Sequence, residues 1–134
     1  MADAQTDDRF EKGLARRREV LGAAYVDRSL GNVTDFDADF QRFITEGVWG
    51  SVWTRPGLTT RERSMLVIAL LAGLGHHEEL ALHIRATRNT GASADDIKEV
   101  MMMVANYAGI PAGNSAIGVA RRTYAEMAMQ DKES

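Results

Sequence analysis

The sequence predicts an all-α fold of about six helices joined by short loops. Apolar residues recur with a period of about 3.6 in one segment after another. Most of these segments are bracketed by punctuation, with Thr, Ser or Asp before them and Gly after. Strand-like alternation of apolar and polar residues is nearly absent.

The first helix is expected from Asp7 to Leu21, where Phe10, Leu14 and Leu21, with Ala15 beside them, share a face and Gly22 closes the segment. The second is expected from Thr34 or Asp35 to Val48, with Phe36, Phe40, Phe43 and Ile44 on one face. Asp35, Asp37 and Asp39 would lie in its first turn, where the helix dipole favours acids. Trp49 to Leu58 reads as a loop because it holds Pro56, Gly50 and Gly57. Thr59-Thr-Arg-Glu62 is a capping-box pattern that opens an apolar helix ending near Gly73 to Gly75. A fourth helix follows from His76 or His77 to Asn89, with Gly91 as its left-handed end. Ser93 caps a fifth, running through Ile97, Val100, Met101 and Val104 to Tyr107. Gly109-Ile-Pro-Ala-Gly113 is expected to break the chain before a last helix from about Ala112 to Met129, with residues 130–134 fraying.

A length of 134 residues fits a single domain over 1–134, and 45% hydrophobic with 26% charged residues is the composition of a folded chain. Cysteine is absent, which excludes disulfides, thiolate metal sites, cysteine nucleophiles and dithiol redox chemistry. The acidic, polar first residues lack the pattern of a secretory signal, so a cytoplasmic location is expected. The longest apolar run, Met65 to Leu74, is about half of the roughly 20 residues needed to span a membrane. No membrane partner is expected. Trp49, Trp53, Met101, Met102 and Met103 are more apolar material than a small monomer readily hides, and self-association is the simple outlet.

A net charge of −3 argues against nucleic acid as a partner. The distribution is uneven: residues 51–90 carry five arginines against three acids, and all three histidines. A locally positive middle that also holds the near-neutral titrating groups suggests a site for a small anion, against the plainer alternative of clustered surface arginines.

On the fourth helix His76, Glu79 and His83 fall within an arc of about 60°, close to Leu80 and Thr87, so this face is expected to look inward. Glu79 and His83, one turn apart, would pair, with the carboxylate orienting the imidazole and favouring its protonated form. Three readings stand: a zinc or iron site, a structural His–Glu pair, and an acid/base or oxyanion-binding site. The spacing matches neither common zinc-protease motif and the helix offers no fourth ligand, so no metal is expected. Arg55, next to the rigid Pro56, is the first candidate for binding a carboxylate, and Arg85, nearly opposite His83 on the wheel, the second. Trp49 and Trp53 either wall the pocket or serve as packing.

Trp49-Gly-Ser-Val-Trp-Thr-Arg-Pro-Gly-Leu58, Arg61-Glu-Arg-Ser64, Glu79-Leu-Ala-Leu-His-Ile-Arg-Ala86 and Tyr107-Ala-Gly-Ile-Pro-Ala112 together resemble the 4-carboxymuconolactone decarboxylase family. Arg16-Arg-Arg-Glu-Val-Leu-Gly22 and Val26-Asp-Arg-Ser-Leu30 extend the resemblance toward the N-terminus. It implies an alkylhydroperoxidase-like helical fold and a homo-oligomer, often a hexamer. It also implies cofactor-free decarboxylation of a dicarboxylate lactone to 3-oxoadipate enol-lactone, in the β-ketoadipate pathway of aromatic breakdown. Peroxidase-like relatives carry Cys-x-x-Cys-x-x-x-His with an upstream Glu. Here His83 matches that histidine, while His76 and Glu79 stand at the cysteine positions and Ser64 at the glutamate. Only His83 carries over, as an oxyanion donor, and the parts of His76 and Glu79 in proton transfer rest on geometry. Activity is expected to fall below about pH 5 as Glu79 protonates. Two alternatives remain: a family member acting on another activated acid, and a non-catalytic oligomeric binding or stress-related protein.

Overall fold

The computed structural model describes residues 2–133, with side chains from Asp8 on. Its elements are α1 (Ala2–Leu21), α2 (Ala23–Gly31), α3 (Ala38–Phe43), a π-helical segment (Ile44–Trp49), α4 (Thr60–Leu74), α5 (His77–Thr90), α6 (Ala94–Ala108) and α7 (Ile110–Glu133). No strand occurs among the described residues, so the all-α expectation holds. The chain divides into two compact units, one ending at Thr59 and the other beginning at Thr60.

In the first unit α1 and α2 are separate because Gly22 adopts φ 95° and ψ 135°, a conformation that a residue with a Cβ strongly resists. The sequence reading missed α2: it buries Val26 alone, too little apolar material to make a periodic signal. An ion pair between Arg18 and Asp27 spans the break.

The expected helix from Thr34 or Asp35 to Val48 is corrected. The Asp37 carboxylate accepts the Thr34 backbone N–H at 2.7 Å and holds a turn, so the α-helix starts only at Ala38. After Phe43 the backbone widens to a π-helix, with Gly50 N–H donating to the Thr45 carbonyl, five residues back, at 2.8 Å. The phenylalanines of that segment face solvent: Phe36 is 97% exposed, and Phe40 and Phe43 are exposed as well. Thr45 and Trp49 are buried instead. The π-segment is held against α1 by glycine contacts. A Cβ on Gly13 would lie 2.1 Å from the Thr45 carbonyl oxygen and 2.7 Å from the Gly50 nitrogen, so the two backbones approach more closely than any side chain permits. Trp49 and Trp53, both buried, stack with ring centroids 4.8 Å apart.

The second unit is a four-helix assembly around one apolar core. Ile68 and Ala72 from α4 and Leu80 and Ile84 from α5 contribute to it. So do Ile97, Val100, Met101 and Val104 from α6, and Ala116, Val119, Ala120 and Met127 from α7. The spacings of three and four are those that put side chains on one stripe of a helix. Ser93 forms the expected cap as a full capping box: its Oγ accepts the Asp96 N–H at 3.0 Å, and Asp96 accepts the Ser93 N–H at 2.9 Å. Arg61 then ties α4 to α6, its Nε and Nη2 donating to Asp96 at 2.9 and 2.5 Å. These bonds, with those to Ser93, hold the Asp96 carboxyl down at about 2. Gly91 takes the expected left-handed conformation at the end of α5. The break before α7 is confined to Gly109, and Pro111 lies inside the first turn, where its missing N–H is not needed. Instead of fraying after Met129, α7 continues to Glu133; Ser134 lies outside the described residues. No helix among the described residues is long and apolar enough to cross a membrane.

Candidate active site

The inward face expected on the fourth helix is divided by the structure. His76 precedes α5 with φ −88° and ψ 78°, so helical geometry does not place its side chain, and it is exposed. Its backbone serves the helix start: its N–H donates to the Leu71 carbonyl and its carbonyl accepts from Leu80 N–H, both at 2.9 Å. Glu79 lies in the first turn and faces solvent. His83, a turn later, is 9% exposed, and Leu80, Ile84 and Thr87 around it on α5 are buried too. The first turn of α5 projects beyond the core, and burial begins at Leu80. Of the three, only His83 looks inward. Among the described residues no three His, Asp or Glu side chains form a group able to hold a metal.

Burial also reverses the expected protonation of His83. Desolvation pushes its pKa down to about 4, and the attraction of Glu79 offsets this only in part. A carboxylate in water is screened and acts weakly on a group inside the protein, whereas the cost of burying a charge falls on the imidazole in full. His83 is therefore neutral at pH 7. It offers one ring N–H as a donor and one ring nitrogen as an acceptor.

The arginines of the middle segment have different fates. Arg61 is engaged by Asp96, and Arg88 by Asp131 at 2.8 Å and the Met127 carbonyl at 2.9 Å. Both are structural. Arg85 is exposed and lines a cleft of about 300 Å3 between α5 and α7, with His77, Glu78, Ala81, Val119, Arg122, Thr123 and Glu126. Arg122, whose Nη1 lies 3.6 Å from where a Cβ on Gly118 would be, was missed by the sequence reading. Its signal was an arginine pair, Arg121-Arg122, with nothing to say which member faced α5. In the first unit Arg55 is exposed on the loop after Trp53, its N–H donating to the Val52 carbonyl at 3.1 Å. Trp49 and Trp53 pack on each other.

A model of the carboxymuconolactone decarboxylase family matches residues 38–122. The chain belongs to the carboxymuconolactone decarboxylase family. The matched span contains all seven residues singled out from the sequence, from Trp49 to Arg85, and ends at Arg122. The chain is similar to a 4-carboxymuconolactone decarboxylase of Acinetobacter baylyi, 44% identical over 121 residues and 90% of each chain. It is also similar to a nitrosuccinic acid decarboxylase of Metarhizium robertsii, 39% identical over 118 residues, 88% of this chain and 82% of that one. A 4-carboxymuconolactone decarboxylase of Pseudomonas putida matches at 45% over 42 residues, 31% of this chain and 88% of that sequence. Within the carboxymuconolactone decarboxylase family this chain thus has relatives named for two decarboxylations, and its buried neutral histidine belongs to the shared segment.

Proposed function

We propose that this family member is a cofactor-free carboxy-lyase of the cytoplasm that converts 4-carboxymuconolactone to 3-oxoadipate enol-lactone. The observation that carries the reading is 44% identity to a 4-carboxymuconolactone decarboxylase along nine-tenths of both chains. The chemistry asks little of the protein. The bond from the ring carbon to its carboxylate breaks, CO2 leaves, and the electron pair passes through the adjacent C=C bond to the lactone carbonyl oxygen. A proton then adds to the carbon next to that carbonyl. The substrate is its own electron sink, so the protein has to bind a dianion, steady the developing oxyanion and deliver a proton.

His83 is the donor to that oxyanion in this proposal. Being neutral, it donates through one N–H from a site poor in water, where a hydrogen bond to developing charge is stronger than in solvent. Glu79 or His76, both open to solvent, would exchange the proton, and Arg55 and Arg85 would bind carboxylates. Trp49 and Trp53 would shape the Arg55 loop. Proton NMR in D2O with freshly made lactone tests the reaction. Enol-lactone carrying deuterium beside the carbonyl is the expected product, and lactone decaying only at its background rate would overturn the reading. The second reading is an acid activated by another electron sink, favoured by the 39% identity to a nitrosuccinic acid decarboxylase. Nitrosuccinate in the same assay separates the two.

The same proposal includes a homo-oligomer. Leu66, Leu70 and Leu74 line one face of α4, and Met103 and Tyr107 lie on α6; all are exposed. With Ala69, Gly73, Val104 and Ala108, four of these border an apolar groove of about 430 Å3. Apolar surface of this kind on a small domain is usually covered by a partner. Light scattering after gel filtration is expected to give a multiple of the 14.7 kDa chain, and a monomer at micromolar concentration would count against it.

A further inference from the structure

Three consecutive arginines leave α1 in different directions, and their partners run against expectation. Arg16 is partly exposed and pairs with Glu19 at 3.3 Å while donating to the Trp53 carbonyl at 2.8 Å. Arg18, exposed, pairs with Asp27. Arg17 is the buried one, 6% exposed, and among the described residues no carboxylate lies within ion-pair distance of it. A buried cation is where a counter-charge matters most, because the protein interior does not screen it.

What Arg17 has instead is neutral and loosely held. Its Nη1 donates to Thr45 Oγ1 at 3.3 Å and its Nη2 to Gln41 Oε1 at 3.2 Å. Charged guanidinium–carboxylate bonds are about 2.7 to 2.9 Å long. Its Nε is buried and has no hydrogen-bond acceptor. Burial lowers its proton affinity, yet arginine holds its proton so firmly that the group stays charged at neutral pH. The fold goes to some length to keep it there. Thr45 is presented by the π-helical segment, itself seated on α1 at Gly13, so this segment supplies one of the two weak acceptors.

We propose that Arg17 is a carboxylate-binding residue of the first unit, and that the anion it receives is a small carboxylate. The planar edge formed by Nε and Nη2 matches the two oxygens of a carboxylate. Taking one there would give Nε its acceptor and shift Nη2 from the long bond with Gln41 to a short charged one. The test is made without turnover, so that its failure and the failure of the proposed reaction are told apart.

The probe is succinate, titrated against the full chain at constant ionic strength with chloride as the control, and followed by thermal unfolding and calorimetry. Wild type is expected to bind succinate and to unfold at a higher temperature in its presence. Arg17→Met keeps much of the packing and removes the charge. It is expected to be at least as stable as wild type without succinate, because an uncompensated buried charge has gone, and to lose about tenfold or more in succinate affinity. A purely structural arginine gives the opposite pair of results: a less stable Arg17→Met whose succinate response is unchanged. That outcome, or a wild type that ignores succinate, overturns the proposal. If Arg17→Met does not fold, the assigned Arg17 Nε–Hε NMR signal of wild type decides. It is expected to move during the succinate titration and not with chloride, and a signal that stays in place overturns the proposal.

Discussion

His83→Gln is expected to fold and assemble as wild type does and to lose two to three orders of magnitude in kcat for 4-carboxymuconolactone, about the cost of removing one oxyanion donor. The site is buried and the imidazole there is neutral, so a neutral amide of similar length brings no new charge inside. Its donor, however, would not occupy the imidazole's position, and transition-state hydrogen bonds tolerate little displacement. Lactone consumption measured at saturating substrate, beside circular dichroism of the same samples, separates lost chemistry from lost structure. Glu79→Gln is expected to cost far less, since Glu79 faces solvent and does not hold His83 in its charged form. If His83→Gln turns over like wild type, His83 is a structural residue and the oxyanion donor lies elsewhere.

The second large effect is on stability and depends on pH. The folded chain holds the His83 pKa at about 4 against an ordinary 6.5. Between those values the unfolded chain binds a proton that the folded one refuses, so acid favours unfolding. The stabilisation is complete above pH 6.5 and is lost as the pH falls to about 4. It amounts to roughly 3 kcal/mol from this one group. Urea unfolding of wild type and His83→Leu at a series of pH values isolates it, because carboxylates such as Asp96 contribute to both curves equally. The wild-type curve is expected to descend relative to the variant through this window. Parallel curves would mean that the histidine is no more buried than in a peptide. The same shift moves the acid limb of kcat/KM: it is expected near pH 4, where His83 takes on a proton, rather than at the higher value read from the sequence for Glu79.

Much of this protein could be read from its order of residues because helix signals are local. The Ser93 cap, the left-handed Gly91 and the apolar stripe of α6 depend on neighbours within a few positions, and they reappear in the structure. The family was legible for a related reason: the motifs that carry it are short strings that lie in order along the chain. Three-dimensional packing decided the rest. Periodicity tells which residues share a face and not what covers that face, so it does not show that Phe36, Phe40 and Phe43 lie in solvent while Thr45 and Trp49 are buried. A helical wheel groups Glu79 with His83 but cannot say that the helix emerges into solvent between them. That single boundary turns an expected imidazolium into a neutral imidazole. Arg17, one of three adjacent arginines, differs from the others only in what surrounds it. The sequence by itself determined that the fold is helical and which family the chain belongs to. Only the tertiary structure decided which charges are desolvated, because desolvation depends on neighbours that are distant along the chain.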